Sequence, residues 1–524
     1  MKKLLLLNLA FIVCFWQLHG QGNMNTERTP VLTAEEAAFL KLLDYDRAEY
    51  LAQYLAEEIG NRVALSPRRD MAADWLMSEL ASYGYNPYIQ EFDFTLSQNA
   101  QTGWAKNTMA PTKNGLIWID GKHYAYYGVS WSAETVYRYD QREELEITGA
   151  VVVVWQEQSQ AFVLPHGDYR DKAVFVTMGT VNTDAARAIM PAAAHIYELS
   201  LTLQNAGAAA VFFQTPPPRN NPVNGAVGDT SYGRLANTTD GTAITIPVGT
   251  TLYHETVGIL PLLDEEAKIS LNLYTNNVGK NVIAALPSAT DSKKSVYVTA
   301  HYDTTGSGPG MNDNGSGTVM LLEMARAFKG WDFGYNIVFF FCDYEEGGLR
   351  GAYAFCAEMT EEERENFVAN YNMDMISTSQ KDCVHFFLNI SDIELRPYAT
   401  PLTVDQRLIH VPEAVEIAKR YDVFNHSYLA GQKVGFDMEF FNICYDTTTD
   451  HYAFVRFGNG YYANHTNMMN AVEYDWRQNE KGTGFETLYH KVGDTYANNF
   501  NKERLKMAGN LISLAIYISA KGAY

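Results

Sequence analysis

The chain has 524 residues, 47% of them hydrophobic, and a formal net charge of −21 at pH 7. That is enough apolar material for a large core and for more than one domain. So acidic a composition argues against nucleic acid or anionic lipid as partners, because both select a basic face.

The first residues, Met1 to Gly22, carry Lys2 and Lys3, then LLLLNLAFIV, then small or polar residues. This pattern reads as a secretory signal peptide, 1–22, with an apolar run too short to span a bilayer. A lipoprotein reading through Cys14 is disfavoured, since Phe11, Ile12 and Val13 precede it where small residues are preferred. The expected location is secreted or periplasmic, with no membrane span. Beyond the leader, Cys342, Cys356, Cys383 and Cys444 are too few for a disulfide scaffold in a chain of this length.

Residues 33–60 have a helical pattern, and Ala72 to Tyr83 repeat it before Gly84 stops it. Arg62 and Arg68, between them, are expected to be solvated. Tyr88 to Phe94 alternates as a strand does. The stretch that follows is too long for a structureless loop in a compact protein. It contains strand-like Thr148 to Trp155 and Lys172 to Met178, a helix-like Ala194 to Ala206, then GAAAVFFQT, a Pro/Asn/Gly-rich loop and ITIPVGTT.

Candidate chemistry concentrates in residues 295–346. Ser295 to Ala300 reads as a buried strand, and His301 and Asp303 leave it on the same side because side chains two apart share a face. Asp303 is thus placed to fix the ring of His301. Asp313 follows in the glycine-rich MNDNGSG, ahead of an amphipathic helix from Gly317 to Phe328. A second buried strand, Ile337 to Cys342, runs out into Asp343, Tyr344, Glu345 and Glu346. Further on, YNMDMI puts Asp374 at the end of a third strand, and LYHKVGDTY puts His490 in a late loop. Imidazoles and carboxylates are the nitrogen and oxygen ligands of zinc sites, and ligands collect at the strand ends of parallel sheets. No GKS or GKT follows Gly315 and Gly317, which argues against a nucleotide loop.

Later elements carry less. A helix is expected from about Gly351, a solvated helix face over Glu361 to Glu365, a helix over Val411 to Tyr421, and a packing helix from Lys502 to Ile518. His385, His410, His426 and His465 read as structural or surface residues.

The series HxD, DNxSG, EExGLxG, NxDM and YHxxxDT resembles the M28 family of co-catalytic zinc peptidases. It is carried by His301, Asp303, Asp313, Asn314, Ser316, Gly317, Glu345, Glu346, Gly348, Leu349, Gly351, Asp374, His490 and Asp494. The resemblance implies two zinc ions per chain on His301, Asp313, Glu346, Asp374 and His490, with Asp313 shared between them. It also implies Glu345 as general base, acting with Asp303. TTTDHYAF is similar to a segment that borders the family's substrate pocket, which makes Asp450, His451 and Phe454 pocket candidates. The order of elements in the middle stretch resembles the protease-associated, or PA, domain.

The expected fold is therefore α/β. A mixed, mostly parallel sheet is sandwiched by helices and built from residues 33–115 and 279–524, with a β-rich α/β PA-like domain at 116–278. The expected function is an exported di-zinc exopeptidase that releases N-terminal residues from peptides by metal-activated water. A carboxypeptidase or dipeptidase would use the same site. A glutaminyl-peptide cyclotransferase-like acyltransferase would hold a single zinc, and a non-enzymatic binding protein would have lost ligands.

Overall fold

The computed structural model describes residues 28–521 except 65, 94–95, 100–102, 107–113, 129–143, 157–160, 164–166, 178–192, 215–243, 252, 275–277, 306–307, 381–382, 388–411, 437–448, 458–466 and 475–485. The leader with Cys14, the Pro/Asn/Gly-rich loop, His410, Cys444 and His465 lie outside the described residues.

The helical pattern of residues 33–60 divides into α1 (Ala34–Leu40) and α2 (Tyr45–Gln53). Each has its own start signal: Thr33 and Glu36 form a reciprocal capping box, and the Asp44 carboxylate accepts from the Asp46 and Arg47 amides. A π-helical turn, Tyr54–Ile59, follows α2 and ends at Gly60. α3 (Pro67–Ser82) begins earlier than its apolar periodicity suggests, because Ser66 caps it and Pro67 suits the first turn.

Strands β1 (Tyr88–Asp93), β2 (Leu96–Asn99), β3 (Gly103–Lys106), β4 (Asn114–Ile119), β5 (Lys122–Gly128), β6 (Glu144–Thr148), β7 (Ala150–Gln156), β8 (Ala161–Val163) and β9 (Ala173–Thr177) come next. They are followed by α4 (Ala193–Asn205), β10 (Ala210–Gln214), β11 (Val248–Thr251), α5 (Tyr253–Ile259) and β12 (Lys268–Tyr274). The remainder comprises β13 (Val278–Leu286), β14 (Ser295–His301), α6 (Gly317–Phe328), β15 (Asn336–Cys342), α7 (Arg350–Glu358), α8 (Glu361–Glu365), β16 (Phe367–Met373) and β17 (Val384–Phe387). It closes with α9 (Pro412–Ala418), α10 (Asp422–Val434), α11 (His451–Phe457), β18 (Met468–Tyr474), α12 (Tyr496–Asn499) and α13 (Lys502–Ala520).

Among the described residues these strands form a seven-stranded sheet in the order β1-β13-β15-β14-β16-β18-β17, a nine-stranded sheet β6-β12-β4-β5-β11-β10-β9-β7-β8, and the β2-β3 hairpin. The four central strands of the first sheet, β15, β14, β16 and β18, run parallel, β13 and β17 flank them antiparallel, and β1 pairs antiparallel with β13 at the outer edge. Alternation sends Val298, Phe339 and Phe341 to one face and Tyr297, Phe340 and Cys342 to the other. The first face is covered by residues of α1, α2, α3, α6, α10 and α13, the second by residues of α7 and α11.

The chain leaves the first sheet after β1 and returns at β13, which pairs with β1. The nine-stranded sheet is built wholly between those two strands, from residues 114–274. Its central strands pack on α4 through Val174, Val176, Val211 and Phe213, and their alternate residues Phe175 and Phe212 join Ile117, Ile259, Ile269 and Leu271. The two layers meet where Leu116 packs against Val63 and Met71, and where Arg68 pairs with Glu255 of α5. Arg68 is therefore buried, not solvated. Its Nη2 also donates to the His123 carbonyl at 2.9 Å. Arg62 is likewise fully buried, because the loop after β14 encloses it. Among the described residues, Cys342, Cys356 and Cys383 are buried free thiols.

Candidate metal centre

Strands β14 and β15 are parallel neighbours, with His301 opposite Cys342, and β16 lies on the other side of β14. Their ends therefore deliver His301, the segment Asp343 to Glu346, and Asp374 to one edge. Asp313 returns to that edge through the tight turn between Gly310 and Gly317. Gly310 has φ +56, and a Cβ there would stand 2.3 Å from the Asp313 carbonyl. A Cβ on Gly317 would stand 2.5 Å from both Asn314 Oδ1 and the Met373 carbonyl. Only glycine permits this close approach. Asn314 then ties the turn to β16, its Nδ2 donating to Met373 O at 2.7 Å and its Oδ1 accepting from Gly317 N at 3.0 Å.

Asp313 stands between two histidines. Its Oδ1 lies 3.3 Å from His301 Nε2, and its Oδ2 lies 3.0 Å from His490 Nε2. His301 Nε2 is also 3.3 Å from Asp374 Oδ1, and His490 Nε2 is 3.2 Å from Glu346 Oε2. The result is two triads, His301–Asp313–Asp374 and Asp313–Glu346–His490, each with its donor atoms within 4.8 Å of one another. Both contain Asp313, and neither contains Glu345. Nitrogen and carboxylate donors converging in this way are a ligand set suited to zinc, so the residues fit the metal that the sequence motifs imply.

Groups around the triads fix them. The Asp303 carboxylate accepts from the Glu345 amide at 3.0 Å and the Glu346 amide at 3.3 Å. The same residue holds His301 Nδ1, through its carbonyl at 3.1 Å and its Oδ1 at 3.5 Å. Asp494 accepts from the Asn312 and Asp313 amides at 2.8 and 3.0 Å, and from Asn499 Nδ2 at 2.8 Å. Tyr344, Leu349, Met375 and His490 all adopt positive φ (61°, 58°, 62° and 53°), a strained backbone region concentrated beside the site.

The electrostatics follow from burying so many carboxylates together. Burial opposes ionisation of Asp313, yet His301 and His490 hold it below the ordinary carboxylate range. Glu345 is pushed well above that range by burial, with Glu346, Asp374 and Asp450 adding to the shift against the pull of His301. Burial works against charge on His490, but Glu346 and Asp313 raise it to about 11.

The three pocket candidates sit at the start of α11. Asp450 is fully buried against the Cys342 thiol, and burial, then Asp303 and Asp374, push it up to about 7. His451 is buried. Phe454 is also buried, in an aromatic cluster with Tyr297, Phe340, Phe355 and Phe367, so in this packing its ring belongs to the core. His426 lies away from the cluster, with Nδ1 2.6 Å from Ser519 Oγ.

Sequence reasoning missed the charged residues behind the centre. Arg69 is fully buried and pairs with Asp343, two residues before Glu345, and Asp343 Oδ2 also accepts from the Lys280 amide at 2.7 Å. Arg504 pairs with buried Glu473 at 2.7 Å, and Glu473 accepts from the Thr378 amide at 2.6 Å. No periodicity or motif distinguishes these residues from surface charges.

Residues 281–516 match the model of Peptidase family M28. Somewhat under half of the chain thus resembles an M28 peptidase domain. Aminopeptidase YwaD of Bacillus subtilis is 30% identical to the chain over 258 residues, which is 49% of this chain and 48% of the relative. An aminopeptidase of Pseudomonas aeruginosa is 23% identical over 371 residues, 70% of this chain and 63% of its own. The chain thus spans about half the length of the first relative and under two thirds of the second. The crystal structure of BSAP, a zinc aminopeptidase from Bacillus subtilis, shares the fold at a TM-score of 0.50 and 22% identity, covering 92% of this chain and 97% of that one. The strand-end cluster, from His301 to His490, falls inside the matched residues.

Proposed function

We propose that the chain is an exported zinc-dependent aminopeptidase that releases N-terminal residues from peptides. The observation that carries this reading is the pair of triads sharing Asp313, with a buried carboxylate, Glu345, beside both and in neither. His301 and Asp374 would hold one zinc, Glu346 and His490 a second, with Asp313 common to both. Zinc in such a site supplies Lewis acidity toward the scissile carbonyl and acidifies water.

The protein's own groups do the rest. Asp303 sets the ring of His301 and, through the Glu345 and Glu346 amides, the position of both carboxylates. Glu345 takes a proton from the attacking water and passes it to the amine as the C–N bond breaks. Burial raises its pKa in the metal-free chain, and the positive charge of bound zinc would draw it back down, so that the carboxylate is free to accept that proton. The nine-stranded layer, whose order of elements resembles a PA domain, is a non-catalytic module docked beside the M28 domain.

The test is hydrolysis of a panel of aminoacyl chromogenic substrates, alongside N-blocked and C-terminal peptides, with zinc counted on the same sample. Release from free-amine substrates with two zinc per chain is the expected result. Release only from free carboxyl ends would make it a carboxypeptidase. Cyclisation of N-terminal glutamine with one zinc would move the chain to acyl transfer.

A further inference from the structure

Three arginines of one short segment, Gly60 to Arg69, are buried, and each reaches a different part of the molecule. Arg68 holds the nine-stranded layer through Glu255, and Arg69 holds the end of β15 through Asp343. Arg62 is turned toward the metal loop. Its Nε donates to Tyr302 O at 2.7 Å, its Nη1 to Gly60 O at 3.0 Å and Pro309 O at 2.7 Å, and its Nη2 to Gly310 O at 3.0 Å.

The location of these acceptors matters more than their number. Tyr302 lies between His301 and Asp303, while Pro309 and Gly310 lie just before the turn that presents Asp313. Gly310 O also accepts from the Gly315 amide at 3.0 Å, on the far side of Asp313. One rigid guanidinium therefore spans the backbone between two triad residues, which a flexible ammonium with three donors does not reproduce. Main-chain contacts extend the clamp. The Arg62 amide donates to Thr304 Oγ1 at 2.9 Å, and the Thr304 amide donates to Arg62 O at 3.3 Å. Electrostatics agree: burial draws Arg62 down to about 10, still charged at neutral pH, and Asp494, Asp303 and Asp313 lie close enough to support the charge.

We propose that Arg62 is a positioning residue for the metal centre, a buried guanidinium that sets the distance between His301 and Asp313 by clamping the backbone carbonyls that flank them. This rests on the metal-site reading above. It touches neither substrate nor any triad side chain, so its effect passes through the loop.

The experiment measures zinc affinity, by competition with a chromogenic chelator, on wild type and on Arg62→Lys, Arg62→Ala and Thr304→Val, with thermal unfolding followed in excess chelator. Arg62→Lys should bind zinc about 10- to 100-fold more weakly, the usual scale for loss of a group that orients ligands. KM at saturating zinc should stay near wild type. Guanidinium ion at sub-denaturing concentration should restore affinity to Arg62→Ala, a rescue that a purely structural role does not predict. Unchanged zinc affinity in folded Arg62→Lys and Arg62→Ala, whatever their loss of stability, overturns the proposal. If neither arginine variant folds, Thr304→Val decides, with weaker binding expected and unchanged binding overturning it. Wild type that binds no zinc removes the metal-site reading and this inference together.

Discussion

The two large sheets share a plan and differ in what stands at their strand ends. Each has a parallel centre packed by helices, yet β14, β15 and β16 lead into His301, Asp343 and Asp374, whereas β9, β10 and β11 end in Thr177, Gln214 and Thr251. Among the described residues, both clusters of possible metal ligands belong to the first sheet. A parallel sheet supplies an edge where groups can converge, and residue type decides whether chemistry occurs there. Among the described residues, the second sheet shows the plan without such a cluster.

Removing Asp313 should erase that difference most completely. Asp313→Ala takes a ligand from both triads, so zinc content should fall below one per chain and turnover should vanish, read by metal analysis and hydrolysis of an aminoacyl substrate. His490→Ala, which breaks only the second triad, should keep about one zinc. Next in size is Glu345→Gln, which should retain zinc while kcat falls about 10²- to 10⁴-fold, the range for loss of a general base. Near-wild-type turnover with metal bound would remove Glu345 from that role.

A smaller effect concerns how the two layers hold together. Arg68 and Glu255 are a buried pair, and removing one takes from the other the counter-charge that offsets its burial. Arg68→Ala should cost about 3 to 5 kcal/mol in chemical denaturation. The paired change Arg68→Met with Glu255→Leu should recover much of it. If Arg68→Ala unfolds like wild type, the layers are held by apolar contact alone.

The triads were legible in the sequence because their residues follow apolar strands and glycine turns in a fixed order. β-branched Val296 and Val298 ahead of glycines located β14, the apolar run Ile337 to Cys342 located β15, and the motifs HxD and DNxSG marked what lay past their ends. The arginines were not legible. Arg62 and Arg68 look like surface charges because their counter-charges, Asp303, Asp313, Asp494 and Glu255, lie roughly two hundred or more positions away, and nothing local records such a pairing. The start of α3 was misjudged for a related reason: its first turn buries Arg68, Arg69 and Asp70, so apolar periodicity begins only later. Phe454 was marked by its motif, and packing put its ring in the core.

The smallest expected effect probes the same seam by pH. His123 of β5 stacks on Trp118, with ring centroids 5.0 Å apart, and its carbonyl accepts from Arg68. Burial and then the Arg68 cation depress its pKa from 6.5 to about 4 in the folded chain. The unfolded chain therefore binds more protons between these values, and stability must rise with pH across that window. The contribution is complete above about pH 6.5 and lost as pH falls through about 4. His123→Phe keeps an aromatic ring on Trp118 and cannot titrate, so its melting temperature should fall less than wild type's between pH 7 and pH 5. Because Arg68 is one cause of the shift, the effect of His123→Phe on that pH dependence should shrink in an Arg68→Ala background. An effect of the same size there would mean that burial alone holds the imidazole neutral, and that the ion pair and the histidine act on the seam independently.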